Sequence, residues 1–166
     1  DIEPENQFSD YNEEALEGIY DYLVSRFNDL VDEGVKDKKE LNSLIILDDL
    51  AYSNAFKDSG KNDQIKRIFF NGRKFCISII IISQKYTSVS TPLRENLSGL
   101  IIGGSSNKQI ELVAGDHNYL KGGYNSFRRM FLDATKEPYH NLIINFDTNK
   151  NSIYYNNRFE AITEYE

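Results

Sequence analysis

A chain of 166 residues, 40% hydrophobic with a net charge of −7, can bury a real core and is too acidic overall to coat nucleic acid by bulk charge. It has no run of about 18 apolar residues and no basic leader followed by an apolar stretch, so neither a membrane span nor a secretory signal is expected. Its single cysteine, Cys76, excludes an internal disulfide framework; within an apolar run it reads as a small buried hydrophobe in a reducing compartment.

Charge is uneven along the chain. Residues 1–60 hold 16 acids and 5 bases, whereas residues 61–166 hold 10 acids and 14 bases. Two differently solvated faces explain this, as does a local basic strip inside a ring of subunits. The first residue is Asp1 rather than Met, and the chain reads as a fragment or processed product.

Residues 1–9 are polar and read as irregular or as the end of a preceding strand. Asp10 and Glu13 form an Asp-x-x-Glu capping box. Leu16, Ile19, Tyr20, Leu23, Val24, Phe27, Leu30 and Val31 follow at spacings of three and four, the stripe of a long amphipathic helix that Gly34 stops. A charged connector fills 35–42. Leu44-Ile45-Ile46-Leu47 then runs into Asp48-Asp49, which predicts a fully buried parallel strand over 43–48. Such a strand delivers its acids to the carboxyl edge of a sheet, where open α/β folds place ligands.

Residues 50–61 read as a polar loop. Asn62 caps a helix with Ile65, Ile68 and Phe69 inward and Gly72 at its end. A second apolar strand covers 75–83 and leads into Gln84. A Ser/Thr loop follows, and Thr91-Pro92 predicts the cap and first turn of a short helix over 93–97. Leu100-Ile101-Ile102 is a short buried strand ending at Gly103-Gly104. Ser105 or Ser106 caps a helix to Ala114, stopped at Gly115. After Gly122-Gly123, the residues Phe127, Met130, Phe131 and Ala134 mark another helix with Arg128 and Arg129 outside. Residues 141–146 and 152–155 flank the turn 147–151 of a hairpin. Apolar strands separated by helices predict one α/β domain, a mostly parallel sheet flanked by helices with a C-terminal β-hairpin.

Several residues carry chemistry. Asp48 and Asp49 are adjacent at a strand end, so their side chains leave on opposite sides. One can face a metal ion and the other a water; a plain pair of solvating acids is the alternative. The Gln84 amide has a donor and an acceptor, and can orient a water against a phosphate oxygen or simply occupy a turn. Arg73 and Arg94 flank the same strand. A guanidinium matches phosphate in a bidentate way, so each is a candidate arginine finger or a surface ion pair. Lys85-Tyr86, on an exposed loop, can meet a nucleic-acid backbone. Gly60-Lys61-Asn62 is not a phosphate loop, because the Gly-x-x-x-x-Gly-Lys-Ser/Thr spacing is absent from the chain. Gly103-Gly104-Ser105-Ser106 can offer N–H groups to an anion or be a strand-to-helix turn. His117 and His140 have no partners at zinc-ligand spacing.

Four segments occur in order: Leu44-Ile45-Ile46-Leu47-Asp48-Asp49, Phe70-Asn71-Gly72-Arg73-Lys74, Ile77-Ser78-Ile79-Ile80-Ile81-Ile82-Ser83-Gln84 and Pro92-Leu93-Arg94-Glu95-Asn96. Together they resemble the Walker B strand, Gly-Arg segment, glutamine-tipped strand and Arg-x-Asn helix of viral genome-packaging ATPases. These are the poxvirus-type branch of the FtsK–HerA superfamily, and the resemblance covers residues 1–115. It implies a RecA-like P-loop NTPase of the ASCE class that assembles as a homo-oligomeric ring. It implies ATP and Mg²⁺ as cofactors, double-stranded DNA and a viral capsid as partners, and a virion or host-cytoplasm location. By that likeness Asp48 supports Mg²⁺, Asp49 activates water, Gln84 senses the γ-phosphate, and Arg73 or Arg94 reaches a neighbouring subunit's nucleotide.

The chain departs from the family in two places. Lys74 stands where the family often has His, and the Walker A strand and loop, upstream in the family, are missing. The chain is therefore expected to be the C-terminal portion of such an ATPase, incomplete as a sheet and inactive alone. The glutamine-tipped strand would then present an apolar edge until another chain or further sequence covers it. The competing readings are a cellular DNA translocase or helicase of the same superfamily, and a noncatalytic module that keeps the sheet only to bind a partner.

Overall fold

In a computed structural model, which describes residues 3–49, 63–146 and 152–165, the long apolar stripe forms helix α1 (Glu13–Asp32). Its cap is Asn12 rather than the expected Asp10. The Asn12 side chain accepts from the Ala15 N–H at 3.0 Å, while Asp10 accepts from the Ser9 hydroxyl. Gly34 ends the helix as expected. It adopts φ +84°, the Gly34 N–H donates to Val31 O, and the Val35 N–H donates to Leu30 O, the paired bonds of a Schellman motif. The segment expected as a connector holds a short helix, α2 (Lys38–Leu41). Asp37 accepts from the Lys39 N–H at its start, and Leu41 is buried.

The chain divides into two compact units, the first ending at Asn96 and the second beginning at Leu97. In the first, β1 (Ser43–Asp48) and β2 (Ile77–Ile82) pair in parallel, with Ser43 opposite Ile77 and Asp48 opposite Ile82. Helix α3 (Asp63–Asn71) precedes β2. Its Ile65 and Ile68 share a core with Leu16 and Tyr20 of α1, Ile45 and Ile77 of the sheet, and Leu93. Arg67 ties α3 to α1: its Nη2 donates to Asp21 at 3.3 Å and its guanidinium lies 4.7 Å above the Tyr20 ring. Asn62 and the loop 50–61 lie outside the described residues.

The expected burial of the strands on both faces is corrected. Ile45 and Ile77 are inside, but Leu44, Ile46, Ile80 and Ile82 alternate with the inward residues and are 45–54% exposed. Successive strand side chains point to opposite faces, and helices α1 and α3 pack on one of them. Among the described residues β2 pairs with β1 alone, so its other edge has no strand partner there. β2 also begins later than expected. Residues Gly72–Phe75 form a 3-10 turn, and Cys76 leaves it at φ 54°. Cys76 is half-buried rather than buried. A Cβ at Gly72 would stand 3.1 Å from Ile77 O, so a larger residue in this turn requires the strand backbone to give by a few tenths of an ångström. After β2 come a 3-10 turn (Tyr86–Ser88) and helix α4 (Thr91–Glu95), which starts earlier than expected because Ser90, not Thr91, is its cap residue.

The second unit contains β3 (Gly99–Gly103), α5 (Asn107–His117), α6 (Gly123–Ala134), β4 (Asn141–Asn145) and β5 (Tyr154–Tyr155). Its sheet has the order β3-β4-β5 and is antiparallel throughout. The mostly parallel sheet is therefore corrected to two small sheets: β3 pairs with the strand returning from α6, and among the described residues parallel pairing is confined to β1 and β2. The C-terminal hairpin is present as β4–β5, with its turn outside the described residues. Ser106 caps α5, accepting from the Gln109 N–H, and α5 continues through Gly115 to His117. Phe127, Phe131, Ile110, Met130, Leu142 and Ile144 are fully buried here. The buried Tyr154 hydroxyl donates to His117 O and accepts from the Tyr119 N–H, each at 2.8 Å.

Candidate functional site

The carboxyl edge of the parallel pair collects the expected acids and amide. Asp48 is the last residue of β1 and is exposed. The Asp49 N–H donates to Ile82 O at 3.2 Å, extending the ladder by one step. Asp49 itself adopts φ 47°. A non-glycine residue in this left-handed region costs about 1 kcal/mol, and Asp tolerates it better than most. The turn leaves its carboxylate beside Gln84, whose Nε2 donates to Asp49 Oδ2 at 3.2 Å.

That bond sets what the edge can do. With Nε2 engaged, the amide oxygen of Gln84 remains an acceptor, and the second carboxylate oxygen of Asp49 remains one too. A water donating to both would be held with a lone pair directed away from them. This is the arrangement a general base and an orienting amide require. Asp48, one residue earlier, is a hard oxygen donor. Mg²⁺ commonly takes one or two carboxylates and completes its shell with water and phosphate, so Asp48 fits it. Among the described residues no group of three or more His, Cys, Asp or Glu side chains could hold a metal by itself.

The other candidates are spread more widely. Arg73 lies in the turn before β2, exposed, with no side-chain partner among the described residues. It stands at the opposite end of a six-residue strand from Gln84, about 20 Å of extended chain away. Arg94 lies on the same side as Gln84 and is engaged. Its Nη1 donates to Val89 O at 2.8 Å, its Nη2 donates to Thr91 Oγ1 at 3.4 Å, and its guanidinium sits 4.7 Å over the Tyr86 ring. Tyr86 is therefore half-buried under Arg94, while Lys85 is exposed. Ser83 and Ser88 close this turn, their hydroxyl oxygens 2.5 Å apart, with Ser88 Oγ donating to Lys85 O at 2.6 Å. Sequence reading missed Ser88, Val89 and Thr91 as parts of the site, since only the folded turn brings them to Ser83 and Arg94. Gly103–Ser106 is a strand-to-helix turn, with Ser105 Oγ donating to Gly103 O. His117 is buried against Phe146, their rings 4.8 Å apart.

The family described as Poxvirus A32 protein matches residues 2–161. The chain belongs to that family. The A32 family is one of viral DNA-packaging ATPases, which agrees with the resemblance carried by the strand-end motifs. Among solved structures the A32-family chain is similar to the genome packaging NTPase B204 from Sulfolobus turreted icosahedral virus 2, solved in complex with AMPPCP. The two share 13% identity with a TM-score of 0.59, over 92% of this chain and 63% of that one. At this identity the likeness is one of fold, and the chain spans under two thirds of that NTPase. No curated protein matches in sequence. Among the described residues no helix is long and apolar enough to cross a membrane.

Proposed function

We propose that this chain supplies the acid-and-sensor edge of an ATPase that moves double-stranded DNA into a viral capsid. The observation that carries the reading is the Gln84–Asp49 hydrogen bond at the carboxyl edge of β1 and β2. In this reading Asp48 holds Mg²⁺, Asp49 takes a proton from the attacking water, and Gln84 orients that water and senses the γ-phosphate. Bound Mg²⁺–ATP supplies the electrophilic phosphorus and the leaving group. The triphosphate cradle must come from outside these residues, because no Gly-x-x-x-x-Gly-Lys-Ser/Thr occurs among them.

Arg73 is the candidate for action on a neighbouring subunit. It sits at the sheet end away from its own Asp49, where a head-to-tail ring would present it to the next subunit. Lys85 is the candidate DNA contact beside the site. A RecA-like ring of identical chains, working on DNA at a capsid, accommodates all these roles. The family assignment favours this over a cellular translocase.

A second reading, a noncatalytic module that binds a partner through its sheet, draws on the exposed Leu44, Ile46, Ile80 and Ile82. DNA-stimulated ATP hydrolysis by the complete protein separates the two. Gln84→Ala should lower turnover and spare nucleotide binding. Undiminished turnover in that variant contradicts the first reading.

A further inference from the structure

We infer that Arg94 is a positioning residue for the Gln84 turn of its own chain, and that Tyr86 is the platform on which it rests. The contacts form a continuous chain. Gln84 lies between Ser83 and Lys85. The Ser83 and Ser88 hydroxyls share a hydrogen bond at 2.5 Å, and Ser88 Oγ donates to Lys85 O at 2.6 Å, so the two ends of the turn are pinned together. The Ser88 N–H donates to Lys85 O and the Val89 N–H to Tyr86 O, closing the 3-10 turn from inside.

Arg94 clamps the far side of this turn. Its Nη1 donates to Val89 O at 2.8 Å, a charge-assisted bond to a carbonyl. Its plane covers the Tyr86 ring at 4.7 Å, within the range of a cation–π contact. The base of the clamp is also fixed: Arg94 belongs to α4, whose Leu93 side chain is buried in the core beneath the sheet. A rigid element thus holds the turn that carries Gln84 to Asp49. Lysine cannot replace this guanidinium, because it lacks the planar fork that bonds and stacks at once.

This assigns Arg94 to the same chain as Gln84 rather than to a neighbour's nucleotide, and it takes Tyr86 out of nucleic-acid stacking on the face that Arg94 covers. The contacts stand on the fold alone; their consequence for turnover rests on the reading of the site given above.

The test is the side-chain amide resonance of Gln84 in the 166-residue chain, identified by its loss in Gln84→Glu. Asp49→Ala gives the position of the released amide. Arg94→Ala and Arg94→Lys should both move the Gln84 signal toward that position and speed exchange of the Ser88 and Val89 amides by about tenfold. Tyr86→Phe, which keeps the ring, should leave both readouts as in the wild type. A Gln84 signal unmoved in a folded Arg94→Lys variant overturns the proposal. In the complete protein, Arg94→Ala should lower kcat without raising KM. Mixed with Asp49→Asn subunits it should regain no turnover, because each chain then damages its own site; recovery on mixing overturns the same-chain assignment. A wild-type assembly without ATPase activity would sink the reading of the site, while the resonance test still decides the clamp.

Discussion

Gln84 and Asp49, 35 residues apart in sequence, are joined by a 3.2 Å hydrogen bond from the Gln84 side-chain nitrogen to the Asp49 carboxylate. The bond spans the tips of two neighbouring parallel strands and depends on the left-handed backbone of Asp49. It fixes which atom of the amide faces the carboxylate and leaves the amide oxygen to accept from a water. A carboxylate and an amide are thus held in one geometry, which under the proposed function is the kind of preorganisation that catalysis rewards.

Alone, this chain should not hydrolyse ATP and should bind it poorly. Backbone N–H groups and a lysine of the phosphate loop supply the main triphosphate contacts in P-loop enzymes, and this sequence lacks that motif. Calorimetry with ATP and Mg²⁺ checks this; micromolar affinity would reveal a phosphate site of another kind.

Arg73 should act across a subunit boundary. In the complete protein, Arg73→Ala should lower turnover by about 10³-fold, as for loss of an arginine finger, with nucleotide binding and assembly kept. Mixing it with Asp49→Asn subunits should restore part of the activity, since some interfaces then pair an intact acid with an intact arginine. No recovery among subunits shown to exchange would assign Arg73 to an ion pair or a DNA contact.

Tyr154→Phe should destabilise the second unit by about 1–3 kcal/mol, because the His117 carbonyl and the Tyr119 N–H lose their shared hydroxyl. Burial pushes the Tyr154 hydroxyl up to about 12. The folded chain therefore holds this proton more tightly than the unfolded one, whose tyrosines ionise near about 10. Its contribution is complete below pH about 10 and is lost as pH rises through about 12. Tyr11 and Tyr165 are also raised, so the comparison of wild type with Tyr154→Phe in alkaline denaturant titrations isolates this group. An unchanged pH dependence between the two would contradict it.

Much of the site was legible because its signals are local. Two apolar runs with polar tips place Asp48, Asp49 and Gln84 at strand ends, and the parallel register brings those ends together. Gly34 and Ser106 were legible for the same reason, as a stop and a cap. Pairing direction was not: Leu100-Ile101-Ile102 reads alike in either sense, and only the return through α6 makes β3 antiparallel to β4. One-sided burial of β1 and β2 was hidden because it depends on which helices arrive. Gly115 misled because glycine costs only about 1 kcal/mol inside a helix, and the buried Val113, Ala114 and His117 outweigh it. Arg94 reads in sequence as a candidate arginine finger or a surface ion pair, since Val89 and Tyr86 reach it only through the folded turn.

ATP turnover by the complete protein carrying Asp49→Asn tests the proposed water-activating role of this edge most directly. The asparagine keeps the size and the hydrogen-bonding reach of Asp49 but cannot take a proton. ATP binding should persist, and turnover should fall by about 10²-fold or more, as for loss of a general base. Wild-type turnover in Asp49→Asn would contradict the role assigned to Asp49 and to the edge it shares with Gln84.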